Sequence, residues 1–249
     1  MKRAFDIAAS ALGLGVMSPV LLLFMVLIWL QDRHCPLYIA PRAGRQGETF
    51  QMIKLRSMVT GADISNIDST SACDERVTWL GRIIRRYKLD EFSQLWNVLR
   101  GDMSLVGPRP NVLREVALYT DEERHLLGAR PGITDLASIV FSDEGDILAG
   151  SDDPDLKYNQ VIRPWKSRLG LLYVQKRSLF LDLQIIALTA IAILSRRLAI
   201  QGVQCILNKL GAEEDLRAVS RRDQPLKAYP PPGSDSIVAS REPLAISEG

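Results

Sequence analysis

The longest feature of the hydrophobic pattern is an apolar run near the start of the chain. Residues 7–30 carry no charged side chain, and as a helix they would be about 36 Å long, enough to cross a bilayer. A secretory signal peptide has a shorter apolar core that ends at small residues, whereas this run ends in Ile28, Trp29 and Leu30. We therefore expect residues 1–31 to remain in the mature protein as a membrane segment.

Ser18 and Pro19, in the middle of this run, predict a bend. Proline removes one helical hydrogen bond and crowds the carbonyl group one turn earlier, here that of Gly15, and the Ser18 hydroxyl can satisfy a freed carbonyl. A spanning helix and a re-entrant helix that turns back at Ser18-Pro19 are both compatible with the run itself. Basic residues flank both ends: Lys2 and Arg3 before it, and Arg33, Arg42 and Arg45 after it. Since the positive-inside rule draws both ends to the cytoplasmic face, the flanks favour re-entry.

The rest of the chain predicts an α/β fold that is mostly helical. Residues 32–210 mix apolar and charged positions without repeats. This pattern indicates one globular domain, large enough to be an enzyme, that is joined directly to the membrane segment. Within it, residues 37–58 are punctuated by glycine and proline and predict a strand or hairpin, whereas the polar residues 63–74 predict a loop. The tail, 211–249, lacks apolar periodicity and is expected to be disordered.

A helical pattern begins near Leu89 and ends at Gly101. Its apolar residues follow the i, i+3, i+4, i+7 spacing: Phe92, Leu95, Trp96 and Leu99. The pattern places Asp90 and Glu91 in the first turn. A second apolar stretch, Ile185–Leu194, is too short to span a membrane and fits an amphipathic interfacial helix and a buried core helix equally well.

Composition narrows the classes of function without naming one. The 249 residues contain 31 basic and 29 acidic side chains, a net charge of +2, which argues against binding nucleic acid through bulk charge. The odd number of cysteines (Cys35, Cys73 and Cys205), far apart in sequence, fits a reducing compartment and gives neither a disulfide framework nor a zinc spacing.

The adjacent acids Asp90 and Glu91 are the strongest candidates for chemistry. Neighbouring helical residues point about 100° apart, so the two carboxylates cannot flank one glycosidic bond. They can divide two other tasks, because one carboxylate can attack an electrophile while the other holds a divalent cation. The positive end of the helix dipole is expected to keep the aspartate ionised and to welcome phosphate oxygens.

Basic residues surround this pair in sequence: Lys54, Arg56, Arg76, Arg85, Arg86, Lys88, Arg109 and Arg130. As a group they indicate phosphate binding, although Arg85 and Arg86 fit contact with lipid headgroups equally well. Arg109 lies between Pro108 and Pro110, and Arg130 precedes a proline. Rigid flanking backbone lowers the cost of orienting a guanidinium group on a phosphate, so these two arginines are the better candidates.

Three segments together resemble one known family. The stretches "KLDEFSQLWNVLRGDMSLVGPRP", "RAGRQGETFQMIKLRSM" and "ARPGIT", with "KRAFDIAAS" and the Ser-Pro pair, resemble the bacterial sugar transferases, the monotopic phosphoglycosyl transferases. The resemblance covers Lys2 to about Ile200. It implies a re-entrant membrane helix, a cytoplasmic catalytic domain at the bacterial inner membrane, and the minimal form of the family.

The resemblance also implies an activity. A sugar 1-phosphate would pass from a nucleotide sugar, expected to be a UDP-sugar, to polyprenol phosphate, with release of UMP at the start of glycan assembly. By motif position Asp90 would be the nucleophile and Glu91 would help bind Mg²⁺. Arg109 and Arg130 fall on phosphate or nucleotide positions. Lys54, Arg56 and Asp102 match motif residues whose individual roles are not assigned.

Some positions depart from the family pattern. Ala40 stands where glutamine is common, Leu55 where phenylalanine is common, and Asp135 where glycine is common. These departures leave both acids in place and leave the sugar open. The acidic stretch around residues 141–158 is read as shaping the sugar site or as a solvated loop, with a slight preference for the loop.

Other readings and partners remain open at this stage. A catalytically idle, membrane-anchored protein could bind a nucleotide sugar or another glycan-assembly protein through the same basic surface. The expected partners are a nucleotide sugar, polyprenol phosphate and membrane lipids, with no nucleic acid. Homo-oligomers and downstream glycosyltransferases are further candidate partners.

Overall fold

A computed structural model of the chain describes residues 1–62 and 74–240, and helices dominate it. In chain order the elements are α1 (Lys2–Asp32), β1 (Leu37–Ala43), β2 (Thr49–Leu55), α2 (Trp79–Arg86), α3 (Leu89–Phe92), α4 (Leu95–Arg100), β3 (Ser104–Val106), α5 (Leu113–Val116), β4 (Gly132–Thr134), α6 (Leu136–Val140), α7 (Glu144–Leu148), α8 (Pro154–Val161), α9 (Arg163–Lys176), α10 (Leu179–Leu194), α11 (Arg196–Leu210) and α12 (Glu214–Ser220). This confirms a mostly helical fold with small sheets. The loop predicted over residues 63–74 lies, except for Asp74, outside the described residues.

The N-terminal apolar run forms the helix α1, whose length and apolar composition would let it cross a membrane. The Ser18 hydroxyl donates a hydrogen bond to the Gly15 carbonyl at 2.9 Å, which is the carbonyl that Pro19 deprives of its usual donor. Helical backbone continues through Pro19. The helix break expected there is therefore not confirmed, and re-entry stays a prediction.

Both ends of α1 are bonded to the globular part of the protein. At the start, Lys2 Nζ donates to Asp182 Oδ2 of α10 at 2.5 Å. At the end, Asp32 accepts two hydrogen bonds from the Arg56 guanidinium, at 2.5 and 2.6 Å. A straight helix of 31 residues would be about 46 Å long, so the domain holds two widely separated points of the same helix.

One face of α1 is also packed against the domain between these ends. Leu21 and Ile28 form a buried cluster with Leu55, Leu80 and Ile84, which come from β2 and α2. The opposite face of α1 is exposed and apolar, with these large side chains: Leu12, Val16, Val20, Leu22, Leu23, Val26, Leu27, Trp29 and Leu30. An exposed apolar surface of this kind is typical of contact with lipid.

Two small sheets connect the helices. Strands β1 and β2 form the predicted hairpin, antiparallel, with Ala40 opposite Met52. Strands β3 and β4 are parallel, with Ser104 opposite Gly132. Parallel pairing joins two segments that are distant in sequence, so β3 and β4 bring the "GPRP" and "PGIT" segments side by side.

The main hydrophobic core lies among α6, α8, α9, α10 and α11. Ile185 of α10 is fully buried there, whereas Phe180 and Leu194 of the same helix are 70% and 89% exposed. The two interpretations of Ile185–Leu194 therefore each describe one face of α10. Its inner face is core, and its outer face is exposed and apolar.

The tail was expected to be disordered, but residues 212–240 are folded onto the domain. Residues Glu214–Ser220 form α12, and the following segment packs on the domain, with the Tyr229 ring 4.4 Å from that of Trp165. The Thr120 hydroxyl donates to the Pro232 carbonyl at 2.5 Å. Aromatic and proline residues dock here without helical periodicity, so a search for periodic patterns does not detect them. Residues 241–249 lie outside the described part of the chain.

The contact between β3 and β4 requires glycine on both sides. A Cβ atom added to Gly132 would lie 2.1 Å from the Gly107 nitrogen, and one added to Gly107 would lie 2.3 Å from the Arg130 carbonyl oxygen. Both distances are far below van der Waals contact, and both neighbours are backbone atoms that cannot rotate away. The two segments can approach this closely only without side chains.

We predict that Gly132→Ala lowers the free energy of unfolding by about 3 kcal/mol, because the added methyl group must push two backbone segments apart. Gly128→Ala is the matched control, since an added Cβ at Gly128 meets no atom within 4 Å. Thermal unfolding of the detergent-solubilised protein measures the difference. Equal melting temperatures for the two variants would contradict the required close contact.

Candidate active site

An open cavity of about 1660 Å³ collects the carboxylate pair and several of the basic residues. Lys54 comes from β2, Asp90 and Glu91 from α3, and Arg109 from the segment after β3. These four side chains are separated by up to 55 residues in sequence and line one cavity. With Arg56, five of the seven catalytic and substrate-binding residues predicted from the sequence line this cavity.

The helix that carries the acids is shorter than predicted. The pattern from Leu89 to Gly101 forms two helices, α3 and α4, which are interrupted at Ser93 and Gln94. The Ser93 hydroxyl donates to the Asp90 carbonyl at 2.9 Å and is also 3.2 Å from the Ile53 carbonyl of β2. This side-chain bonding competes with regular helix formation. Gly101, at φ 100°, ends α4 as predicted.

Asn97 fixes the distance between the acids and the hairpin. Its buried amide group accepts from the Ile53 N–H at 3.0 Å and donates to the Gln51 carbonyl at 2.7 Å, so it takes the place of a neighbouring strand along β2. The same amide nitrogen donates to Asp102 Oδ2 at 3.1 Å. Lys54 is the next residue of β2 after Ile53, so this contact helps to bring its ammonium group within electrostatic reach of the carboxylates of α3.

Arg109 is the direct partner of Glu91. Its Nη2 atom lies 2.9 Å from Glu91 Oε1. The flanking prolines and the contact of Gly107 with Gly132 fix the backbone that carries Arg109. The charge of Glu91 raises the pKa of Arg109, so the guanidinium group stays protonated at all physiological pH values.

The two carboxyl groups have opposite pKa shifts. Burial raises the pKa of Asp90, an effect that the charges of Lys54 and Arg109 only partly offset. Burial also acts to raise the pKa of Glu91, but the Arg109 and Lys54 charges outweigh it and leave that pKa lowered. The helix dipole alone was expected to favour the ionised aspartate, and desolvation instead makes Asp90 the more basic carboxylate of the pair.

Lys54 has an unusually acidic ammonium group. Burial and the neighbouring Arg109 charge lower its pKa to about 8, although Asp90 and Glu91 act in the opposite direction. A partly desolvated cation of this kind interacts strongly with any anion that enters the cavity.

The remaining predicted residues are placed differently. Arg56 is nine-tenths buried and its guanidinium group is paired with Asp32, so its observed contact anchors α1. Arg130 donates to the Gly101 carbonyl at 3.0 Å, and Asp102 is bonded to Asn97. Neither Arg130 nor Asp102 is among the described residues that line the cavity. Both support the turn after α4.

The cavity wall also carries residues outside the seven predicted site residues. Arg85 lines the cavity, and its positive charge acts on Asp90. On another side, Glu144 and Lys166 form an ion pair, and the Lys166 ammonium group lies 5.1 Å from the centre of the Tyr158 ring. Glu144 belongs to the stretch interpreted with slight preference as a solvated loop. Glu144 lies instead on the cavity wall, paired with Lys166. Because Lys166 is 22 residues further along the chain, the sequence gives no sign of this pairing.

A carboxylate oxygen in this cavity is a suitable ligand for a magnesium ion. Magnesium is usually held by one or two carboxylates together with waters and substrate phosphate oxygens. Glu91 supplies one such carboxylate. Within residues 1–62 and 74–240, no group of three or more His, Cys, Asp or Glu side chains is arranged to hold a metal ion alone. A magnesium ion bound here would need further oxygen ligands from a substrate.

Comparison with known proteins identifies relatives over most of the chain. The family model described as "Bacterial sugar transferase" matches residues 1–196. An undecaprenyl-phosphate glucose phosphotransferase of Komagataeibacter xylinus is 41% identical over 197 residues, which cover 76% of this chain and 35% of that protein. A UDP-glucose:undecaprenyl-phosphate glucose-1-phosphate transferase of Caulobacter vibrioides is 35% identical over 78% of this chain and 70% of its own length.

A third relative is closer in size. The exopolysaccharide production protein ExoY of Rhizobium meliloti is 34% identical over 207 residues, 77% of this chain and 84% of its own length. The chain thus spans about a third of the first relative and most of the other two. The family match ends at residue 196, so nearly all of α11, all of α12 and the packed tail lie beyond it.

We predict that Lys54 becomes reactive toward an amine-directed reagent with a midpoint near pH 8, because its folded-state pKa is lowered to about 8. Labelling is followed by mass spectrometry as a function of pH, with the peptide of the exposed Lys227 as internal reference. Asp90→Asn should move the midpoint lower still, since the Asp90 carboxylate raises the Lys54 pKa. A midpoint above pH 10, or one that Asp90→Asn leaves unchanged, would contradict this electrostatic arrangement.

Proposed function

Because the chain belongs to the bacterial sugar transferase family, we propose that it transfers a sugar 1-phosphate from a UDP-sugar to undecaprenyl phosphate. The observation that carries this proposal is the Asp90–Glu91 pair beside Lys54 and Arg109 in one large cavity. The relatives support the substrates, since they are named as transferases of a sugar phosphate to undecaprenyl phosphate. The sugar itself is left open.

In the first step, a carboxylate oxygen of Asp90 attacks the phosphorus atom that carries the sugar. The bond between this phosphorus and the oxygen that links it to the UMP phosphate breaks, and UMP leaves with the electron pair. The product on the enzyme is an aspartyl phosphosugar. Asp90 suits this role because its raised pKa makes its carboxylate the more basic of the pair, while Lys54 and Arg109 favour its ionised form.

In the second step, a phosphate oxygen of undecaprenyl phosphate attacks the same phosphorus atom. The acyl phosphate bond breaks, the Asp90 carboxylate is regenerated, and a sugar diphosphate linked to the lipid leaves. A covalent intermediate divides the reaction between a water-soluble donor and a lipid acceptor, so the two substrates need not occupy the cavity together. The lipid product would start the assembly of an exopolysaccharide, which downstream glycosyltransferases extend.

Positive charge is needed because phosphate oxygens meet a carboxylate in both steps. Lys54, Arg85 and Arg109 line the cavity and supply it from the protein. Glu91 would hold a magnesium ion, whose charge neutralises the diphosphate of the donor and assists departure of UMP. Arg109 keeps the pKa of Glu91 low, so this carboxylate remains an oxygen ligand for the metal.

The membrane arrangement follows from the lipid substrate. We propose that α1 enters the cytoplasmic leaflet and returns, with the domain on the cytoplasmic face. Support comes from the bonds of Lys2 and Asp32, at opposite ends of α1, to the same domain, and from basic residues at both ends. The exposed apolar faces of α1 and α10 would lie in the bilayer, which places the cavity at the interface where the acceptor phosphate resides.

We predict a covalent sugar phosphate on Asp90 when the purified protein is incubated with magnesium and a panel of UDP-sugars in the absence of lipid. Mass spectrometry of the peptide that contains Asp90 detects the adduct, and released UMP is measured in parallel. Asp90→Asn should lose the adduct and at least about 10³-fold of the activity. Asp121→Asn is the matched control, since its side chain is fully exposed.

Two outcomes would count against the enzymatic proposal. An adduct that persists in Asp90→Asn would overturn the assignment of the nucleophile. No adduct with any donor, and no UMP after undecaprenyl phosphate is added, would favour an idle binding protein over a transferase.

We predict that tags placed before Lys2 and after Gly249 lie on the same, cytoplasmic side. Protease added to intact spheroplasts should cut neither tag, and protease added after lysis should cut both. Cytoplasmic and periplasmic marker proteins control for leakage. Cleavage of the N-terminal tag alone in intact spheroplasts would show a spanning helix and refute re-entry.

A further inference from the structure

The segment after α12, residues 221–240, runs back across the domain, and we call it the strap. It lies beyond the family match, which ends at residue 196. One contact joins Pro232 to Thr120, and two further sets of contacts fall on separate parts of the domain: residues 141–143, between α6 and α7, and residues 160–168, from the end of α8 into α9. The cavity residue Glu144 directly follows the first of these two parts, and the cavity residue Lys166 lies in the second.

The first strap contact is made by Arg222. Its Nη2 atom donates to Asp143 Oδ2 at 3.0 Å, and its guanidinium group lies 5.5 Å from the centre of the Phe141 ring. The Arg222 side chain is only 8% exposed, so this is a largely desolvated ion pair. Arg196, at the start of α11, lies 2.9 Å from the other Asp143 oxygen. Asp143 directly precedes Glu144 in the chain.

The second strap contact is made by Tyr229. Its ring stacks at 4.4 Å on Trp165, and its N–H donates to the Gln160 carbonyl at 2.9 Å. Arg168 lies 4.8 Å from the Tyr229 ring and donates to the Pro230 carbonyl at 3.0 Å. Trp165 directly precedes Lys166, so the strap is fixed to α9 one residue from the cavity.

Glu144 and Lys166 pair with one another across the gap between these two parts. Both line the cavity, together with Phe141 and Tyr158. The strap therefore contacts the residues that directly precede Glu144 and Lys166, the ion pair that forms this wall of the cavity. We propose that Arg222 and Tyr229 are positioning residues that hold the Glu144–Lys166 wall in place and thereby set the affinity of the cavity for the nucleotide sugar.

This proposal rests on the proposed function, and it separates donor binding from chemistry. Asp90 and Glu91 lie on α3, which is held by Ser93 and Asn97 on β2, whereas the contacts of Arg222 and Tyr229 fall on other parts of the domain. Loss of a strap contact should loosen the Glu144–Lys166 wall and leave the nucleophile in place. The Michaelis constant for the donor should rise, while the turnover number stays close to that of the wild type.

The test compares Arg222→Ala and Tyr229→Ala with Lys227→Ala, an exposed position on the same strap. In both strap variants we expect the KM for the UDP-sugar to rise about fivefold or more, with kcat within about twofold of the wild type. Lys227→Ala should match the wild type. Arg222→Lys retains a cation opposite Asp143 and should recover part of the affinity, which a merely disrupted fold would not.

Hydrogen exchange supplies a readout that does not depend on activity. In Arg222→Ala, protection should fall in peptides covering residues 141–148 and 158–168 and remain unchanged in residues 89–100. If KM is unchanged, or if kcat and protection fall throughout the protein, the positioning role is overturned. If the wild type transfers no sugar phosphate, the proposed function fails, and exchange alone then decides whether the strap holds the wall.

Discussion

The anchoring of both ends of α1 to one domain is the constraint on which the rest of the structure depends. At the start of the helix, the Arg3 guanidinium donates to the Val98 carbonyl and Asp6 accepts from the Ser104 hydroxyl at 2.8 Å. At the other end, Asp32 is held by Arg56. A helix that crosses the bilayer to the far side carries one end away from any domain on the near side. These contacts therefore tie the apolar surface of the membrane segment to α4, β3 and β2, the same elements that position the cavity.

The site places two carboxylates and several cations together where they are partly shielded from water. This arrangement explains the opposite pKa shifts of the two acids. Two neighbouring acids in one buried setting cannot both keep ordinary pKa values. The direct Arg109 contact favours ionisation of Glu91, and the burial penalty then falls on Asp90. Glu91 is thereby kept as a stable anion, and Asp90 becomes the more basic carboxylate. The proposed division of tasks between the two acids would thus have an electrostatic cause.

Local sequence patterns predicted the features that depend on local interactions. The hairpin, the acids in the first turn of a helix and the helix end at Gly101 all follow from short-range rules. The interruption at Ser93 could not be predicted, because the Ile53 carbonyl that Ser93 bonds is 40 residues away. The pairing of Arg56 with Asp32 was missed for the same reason, since an arginine near other basic residues gives no sign of its partner.

The tail shows a second limit of pattern reading. Periodicity detects helices and strands that bury a face, whereas the strap is held by individual contacts such as the stacking of Tyr229 on Trp165. Apart from Tyr229, the strap consists largely of residue types common in disordered segments, such as proline, serine and charged residues. Composition alone therefore cannot separate a docked segment from a disordered one.

The surroundings of the three departures from the family pattern show what each one changes. Leu55 is buried in the α1 cluster and keeps the apolar character of the phenylalanine it replaces, whereas Ala40 places a small, buried apolar side chain where glutamine is common. Asp135 differs, because it places a carboxylate at the start of α6, where it accepts from the Ser138 N–H at 2.6 Å. The charges of Lys166 and Arg109 both act on this carboxyl group. Of these three departures, Asp135 is the one that changes the charge beside the cavity, and it does so at the wall that carries Lys166.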